Sequence, residues 1–339
     1  MDRKSLVDVL IVGAGPVGLA CGIAAQRSGL SSLIVEKGAL TNALCHFPRH
    51  MRFFSTPELL EIGEVPFIIA GDKPTRADAL NYYRRVAQHY DLRLHLHEEV
   101  RRITKSADTF TVNSAAADYQ ASCVVIATGY YDHPNLLNLP GEDLPKVSHY
   151  YTEPFPFFRR KVAIIGGKNS AVEAALDLYR HGAQVTLIHR GPEIRQSVKY
   201  WILPDILNRI QEGSIAARCN TRVVQITNDA IVLQNQAGET ETLANDFVFA
   251  LTGYHPDYAF LQACGIAISG EDNSPRHDPA TFETNVPGLY VAGVVAAGKN
   301  GNKIFIENGR EHANVIMRHL APRLQNHARR AGASEPARA

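Results

Sequence analysis

The feature that most constrains this chain is a strand-to-glycine unit that occurs twice. Val9-Leu-Ile-Val-Gly13 and Val162-Ala-Ile-Ile-Gly166 are the same apolar run ending in glycine. A small-residue helix follows each and is closed by Gly29 in one copy and Gly182 in the other. A second apolar strand comes next, Ser32-Leu-Ile-Val-Glu36 and Gln184-Val-Thr-Leu-Ile-His189. Each copy is a βαβ unit, the core of a doubly wound parallel sheet. The expected fold class is α/β, with two Rossmann-like, three-layer domains.

A second repeat indicates how the domains are joined. Cys123-Val-Val-Ile-Ala-Thr-Gly129 returns as Phe247-Val-Phe-Ala-Leu-Thr-Gly253, an apolar strand ending in Thr-Gly each time. Read as two crossings, these strands place one domain at 132–252, inserted into another made of 1–131 plus 253–325. The Arg/Ala-rich segment 326–339 is expected to be a flexible tail. With 339 residues, 45% of them hydrophobic, the chain can fill both cores.

Composition narrows the function. Lys and Arg number 35 against 34 Asp and Glu, so no general attraction to nucleic acid or anionic membrane follows. Met1-Asp2-Arg3-Lys4 runs straight into a glycine-broken strand, unlike a signal peptide or membrane span, and a cytoplasmic location is expected. The five cysteines, Cys21, Cys45, Cys123, Cys219 and Cys264, are scattered, with neither C-x-x-C nor metal-ligand spacing, so no metal is expected.

Gly13-Ala14-Gly15-Pro16-Val17-Gly18 fits G-x-G-x-x-G between a strand and a helix. In that pattern the glycines make a tight turn, admit a pyrophosphate and pack helix on strand, while the helix N-terminus faces the phosphates. Glu36, followed by Lys37, stands where a carboxylate bonds a ribose 2′-hydroxyl and repels a 2′-phosphate. The second turn, Gly166-Gly167-Lys168-Asn169-Ser170-Ala171, has Lys168 in place of the second glycine and Ala171 in place of the third. At the position of Glu36 it has His189, then Arg190, with Arg195 further on. Two guanidinium groups can grip a 2′-phosphate. The two sites thus divide into one for FAD and one for NADPH. The plainer reading leaves Lys168, Arg190 and Arg195 as solvated charges on turns.

At this point the sequence resembles the flavoproteins of thioredoxin-reductase-like architecture, from Asp8 to about Leu320. The order of motifs is the same, through to Thr284-Asn-Val-Pro-Gly-Leu-Tyr-Val-Ala-Gly293. Within that group it is similar to the YpdA family of bacillithiol disulfide reductases. The strings that carry this likeness are Phe53-Phe-Ser-Thr56, Leu60-Glu-Ile-Gly63, Gly166 to Ala175, Lys199-Tyr-Trp-Ile-Leu-Pro204 and Ile304-Phe-Ile-Glu-Asn-Gly-Arg310. The resemblance implies an NADPH-dependent FAD enzyme that reduces a low-molecular-weight thiol disulfide and forms a homo-oligomer, a dimer. It implies that Thr128, Gly129, Gly293, Lys303 and Ile304 line the FAD site and that a helix beginning near Glu307-Asn308 points at the flavin.

Two departures bear on the acceptor. Thioredoxin reductases carry C-x-x-C before the second glycine turn, whereas Val147-Ser-His-Tyr-Tyr-Thr-Glu-Pro-Phe155 has no cysteine. YpdA-like sequences often have a cysteine within the first glycine turn, where this chain has Val17. Cys45, in the loop after Glu36, is the candidate catalytic thiol, with His46 and Arg49 expected to lower its pKa. Cys21, between Ala20 and Gly22, reads as a small buried hydrophobe. The competing functions are a reductase for a small redox protein such as ferredoxin or flavodoxin, a flavin monooxygenase and a non-catalytic redox sensor. Asp143 and Pro145 before His149 break the monooxygenase fingerprint.

Overall fold

The computed structural model of the chain describes residues 6–194 and 198–333. These form two compact units. The first takes the described parts of Met1–Cys45, Met51–His133 and Tyr254–Ala339; the second is His46–His50 with Pro134–Gly253. The short segment His46–His50, expected within the first domain, groups with the second unit. Arg49 N donates to Thr152 O at 2.8 Å and the Arg49 guanidinium lies 3.1 Å from Glu153.

The first unit opens with β1 (Val7–Val12), α1 (Pro16–Arg27) and β2 (Ser32–Val35). β1 reads as one apolar run because both of its faces are covered, as in the centre of a parallel sheet. Two one-turn helices follow, α2 (Asn42–Cys45) and α3 (Pro57–Leu60). Next comes α4 (Arg76–His89), started by a capping box: Thr75 Oγ1 accepts from Asp78 N, and the Asp78 carboxylate accepts from Thr75 N. Then come β3 (Leu94–His95), β4 (Val100–Ser106), β5 (Thr109–Ser114) and β6 (Asp118–Ile126).

The second unit contains β7 (Val147–Ser148), β8 (Lys161–Ile165), α5 (Asn169–Arg180), β9 (Gln184–Ile188), α6 (Leu203–Gln211) and β10 (Ala216–Arg218). It continues with β11 (Thr221–Ile226), β12 (Ala230–Asn235), β13 (Thr240–Ala244) and β14 (Phe247–Ala250). Its five-stranded sheet has the order β10-β9-β8-β14-β7, with every pair parallel. Alternate residues of the sheet face opposite ways. Val162, Ile164, Leu187 and Phe249 pack with the alanines of α5 and Ile206 of α6. Ala163, Ile165, Ile188 and Val248 pack with Val223, Ile226, Ile231 and Leu233 of the antiparallel ribbon β11-β12-β13. Helices, sheet and ribbon are the three layers.

The first unit resumes with α7 (Tyr258–Ala263), the small pair β15 (Ile268–Ser269) and β16 (Ser274–Pro275), and β17 (Leu289–Val291). A 3-10 stretch over Gly293–Lys303 leads into α8 (Ile306–Gly309) and α9 (Glu311–Ala333). The sheet runs β3-β2-β1-β6-β5-β4. β6 is long enough for two partners: β5 pairs antiparallel with its first half and β17 parallel with its second, Val291 opposite Ile126. The strand ends of β1, β6 and β17 therefore come out side by side.

α9 runs on through residues 326–333, which the sequence assigns to a tail, with Pro322 inside the helix. Ala, Arg, Leu and Gln are strong helix formers, so a polar Arg/Ala-rich run is compatible with helix as well as tail. Residues 334–339 lie outside the described residues.

Candidate dinucleotide sites

In the first unit, Gly13 leaves β1 at φ +107°, and a Cβ there would lie 2.6 Å from Ala127 O. Its N–H donates to Val35 O at 2.8 Å, so the turn is tied to β2 and packed on β6. At Gly18 a Cβ would strike the Gly13 carbonyl, which makes Gly18 the close-packing glycine. Gly15 differs. It is the N-cap of α1 in extended conformation, with no side-chain cap, and a Cβ on it would meet nothing within 4 Å. Open space over an uncapped helix N-terminus, with Pro16 in the first turn, is what a pyrophosphate requires.

Glu36 is buried. Its Oε2 accepts from Ala14 N at 2.8 Å and its Oε1 from Gly38 N at 2.9 Å. The carboxylate thus clamps the glycine turn onto the end of β2, and each oxygen retains a lone pair for a further donor such as a hydroxyl. Lys37 pairs with Asp132 at 3.0 Å.

Val17 is central to the other cluster. A Cβ on Gly293 would lie 3.1 Å from Val17 Cγ2, and one on Gly309 would lie 3.3 Å from the same methyl and 3.2 Å from Ile304. Val17, Gly293, Ile304 and Gly309 therefore share one packed corner where β17 ends. Gly129 sits beyond β6 at φ +72°, with Val294 at contact distance from its Cβ direction, and Thr128 immediately precedes it. Lys303 closes the 3-10 stretch, and its carbonyl accepts from Asn308 Nδ2 at 2.8 Å. Near Glu307 the helix is a single turn, α8, separated from α9 by Arg310, and the Asn308 amide is occupied in capping Phe305 N at 2.7 Å.

In the second unit, Gly166 turns tightly out of β8: a Cβ there would lie 2.6 Å from Leu251 O and 2.9 Å from Ala171 Cβ. Ala171 thus works as the third small residue. Lys168 is the exposed, extended N-cap of α5, again with no side-chain cap, and Ser170 next to Ala171 is exposed. The imidazole of His189 lies against Gly167 and Gly191, and a Cβ on either would collide with the ring. The smallness of Gly167 is therefore explained by His189. Burial lowers the pKa of His189, and the adjacent Arg190 adds to the effect, which favours the neutral ring. Arg190 is exposed, with no side-chain partner among the described residues. Arg195 lies outside the described residues.

The strings that the resemblance singled out interlock within each unit. In the first, Ser55 Oγ donates to Glu307 at 2.6 Å, and Arg310 Nη1 donates to Glu58 O at 2.9 Å and to Glu61 O. In the second, Lys199 N donates to Asn169 Oδ1 at 2.9 Å, and Lys199 Nζ lies 3.7 Å from Glu173. Burial outweighs that pairing on both sides, pulling Lys199 down to about 8 and raising Glu173.

All five cysteines are free. Burial pushes Cys21 up to about 12, so it stays a thiol. The expectation of a lowered pKa at Cys45 is not met. Partial burial raises it; the opposing cation is Arg76 rather than His46 or Arg49, and Glu36 adds to the rise. Arg76 donates to Leu44 O and Cys45 O at 2.9 and 2.8 Å, which seats the end of α2 on α4. Among the described residues no group of three or more His, Cys, Asp or Glu could hold a metal, and no helix is long and apolar enough to cross a membrane.

His312 escaped the sequence reading. Its Nδ1 accepts from Gly293 N at 3.1 Å, and burial, with His277 nearby, lowers its pKa from the ordinary 6.5 to about 4. Folding thus holds the ring neutral, and between those values the unfolded chain binds a proton that the folded chain does not. This contribution is complete above pH 6.5 and is lost as pH falls toward 4, by at most about 3 kcal/mol. In denaturant melts, His312→Asn should show a shallower loss of stability than wild type over that window, and equal slopes would refute the assignment.

Two Rossmann-like units, each presenting an uncapped helix N-terminus beside a glycine turn, define an oxidoreductase built for two dinucleotides. Residues 10–293 match the pyridine nucleotide-disulphide oxidoreductase family. The chain is 46% identical to the bacilliredoxin reductase Bdr of Bacillus subtilis (strain 168) over 319 residues, covering 94% of this chain and 98% of the relative. The structure of the bacillithiol disulfide reductase Bdr (YpdA) from Bacillus cereus matches with a TM-score of 0.92 and 44% identity, covering 94% of this chain and all of that one. Thioredoxin reductase from T. acidophilum shares the fold, with a TM-score of 0.75 at 22% identity over 96% of this chain and all of its own. The chain belongs to the pyridine nucleotide-disulphide oxidoreductase family and, within it, to the Bdr (YpdA) group. It is an oxidoreductase with thioredoxin-reductase-like architecture, and its cofactors are FAD and NADPH.

Proposed function

We propose that this chain uses NADPH to reduce the disulfide of a low-molecular-weight thiol of the bacillithiol type, through FAD. One NADPH and one proton convert one disulfide to two thiols. FAD held in the first unit would supply the two-electron redox chemistry that links NADPH to the disulfide. We assign FAD to the first unit, 1–131 plus 253–325, at Gly13, Gly15, Pro16, Val17, Gly18, Glu36, Lys37, Thr128, Gly129, Gly293, Lys303 and Ile304. NADPH is assigned to 132–252, at the turn from Gly166 to Ala171 with His189, Arg190 and Arg195.

The observation that carries this reading is the open approach at Gly15 beside a buried Glu36 in one unit, against an exposed Arg190 in the other. Glu36 supports a free 2′-hydroxyl, and Arg190 supports a 2′-phosphate. The chain's own residues bind and orient the two dinucleotides. The disulfide substrate is favoured by the B. cereus protein, which bears that activity in its name. The B. subtilis relative is named for a protein acceptor, bacilliredoxin, which favours a small redox protein as a second reading. A dimer in the cytoplasm, with neither nucleic acid nor membrane as partner, completes the proposal.

An acceptor screen tests it. NADPH oxidation should be fast with oxidised bacillithiol and slower with oxidised bacilliredoxin or ferredoxin, and the reverse order would replace the substrate class. Cys45→Ser, run in parallel, should remove disulfide turnover while leaving flavin reduction by NADPH unchanged. Full turnover by this variant would show that the Cys45 thiol takes no part.

A further inference from the structure

Ala292 is the last residue of its strand whose N–H the sheet satisfies, donating to Ile126 O at 2.9 Å. The next N–H, on buried Gly293, has passed the end of the ladder, and a buried N–H left unpaired is destabilising. His312 Nδ1 supplies the acceptor at 3.1 Å. An accepting Nδ1 requires the neutral ring with its proton on Nε2.

The ring is itself held in place. Phe282 lies flat against it, with centroids 3.9 Å apart and planes at 18°, and His277 stacks on Phe282 at 5.7 Å and 17°. Phe282 has φ +60°, a left-handed conformation that is rare for a bulky side chain and strained. The surrounding bonds enforce it: Phe282 N donates to Asp278 O at 2.7 Å, and Val291 N donates to Phe282 O at 3.1 Å. The strained residue is therefore tied to the strand that delivers Gly293. Gly293 in turn faces Val17 of the first glycine turn so closely that a Cβ on it would lie 3.1 Å from Val17 Cγ2, and it lies beside Gly309.

We propose that His312 is a positioning residue for the FAD site, acting through the Gly293 N–H, with strained Phe282 locking the imidazole in its accepting orientation. This rests on the assignment of FAD to the first unit. The ring sets the Gly293 peptide, and Gly293 sets Val17 and the corner that receives the flavin.

The test compares four variants with wild-type holoprotein. His312→Phe keeps a flat ring and loses the acceptor. His312→Asn keeps an acceptor on a shorter arm. Phe282→Asn tolerates the left-handed backbone and frees the imidazole. Gly15→Val reports on the assignment itself. Flavin fluorescence recovered on serial dilution gives the FAD dissociation constant, and the visible absorption band of the bound flavin gives its environment. His312→Phe should weaken FAD about tenfold and alter the band, while His312→Asn should remain within about threefold of wild type. Phe282→Asn should fall between them, and it keeps the test open if His312→Phe does not fold. If Gly15→Val loses FAD while His312→Phe matches wild type in affinity and band shape, the positioning role is overturned. The same holds if His312→Asn is as weak as His312→Phe. If Gly15→Val also retains FAD normally, the assignment of FAD to this unit fails instead.

Discussion

Gly15→Val is expected to fold normally and to purify without flavin, its FAD affinity falling by about 100-fold or more, whereas Gly18→Ala should fail at the level of the fold. The two glycines stand three residues apart in one motif, but the space around them differs. Gly15 has extended backbone that any residue can adopt, with nothing within 4 Å of its Cβ direction. Valine there costs the apoprotein little and occupies the place left for the phosphates. A Cβ on Gly18 is driven into the Gly13 carbonyl, a backbone atom that cannot step aside. That collision should destabilise by about 3 kcal/mol or more. FAD per chain and a thermal melt of each variant check both statements. Equal flavin content in Gly15→Val and wild type would remove the first unit as the FAD site.

Arg190→Ala should raise the dissociation constant for NADPH by about 10- to 100-fold and leave that for NADH nearly unchanged, because one charge-assisted pair to a phosphate contributes about 1.5–3 kcal/mol. The expectation follows from its place: Arg190 succeeds His189 at the end of β9, exposed and without a side-chain partner among the described residues. Arg190→Lys should recover only part of the affinity, since an ammonium does not reproduce the planar fork. Binding measured with NADP⁺ and NAD⁺ on the oxidised enzyme avoids turnover. A parallel loss for both nucleotides would mean that Arg190 acts on the fold of the loop rather than on the 2′-phosphate.

The layered architecture was legible in the sequence because its signals are local and periodic. Apolar runs such as Val9–Val12 and Val162–Ile165 are buried on both faces and end in glycines that the turns require. The capping box of Thr75 and Asp78 at the start of α4 is a signal of the same local kind. What stayed hidden depends on residues far apart in the chain. Nothing in Ser55 points to Glu307, and nothing in Arg310 points to the carbonyls of Glu58 and Glu61. His189 was legible as the residue in the place of Glu36, but its ring lying against Gly167 was not. His312 left no periodic trace on α9; its role comes from a strand end that happens to need an acceptor. At Cys45, nearby cations in sequence suggested an acidic thiol, yet burial decides the direction and the cation that faces it comes from α4.

The central claim is that one chain carries electrons from NADPH through its flavin to a small disulfide. The most direct measurement is an anaerobic titration of the oxidised holoenzyme, first with NADPH and then with oxidised bacillithiol, following the flavin absorption band. The account predicts that one equivalent of NADPH bleaches the band, that NADH does so far more slowly, and that one equivalent of the disulfide restores it with release of two thiols. A flavin that NADPH does not bleach, or a bleached flavin that the disulfide leaves unchanged, would contradict it.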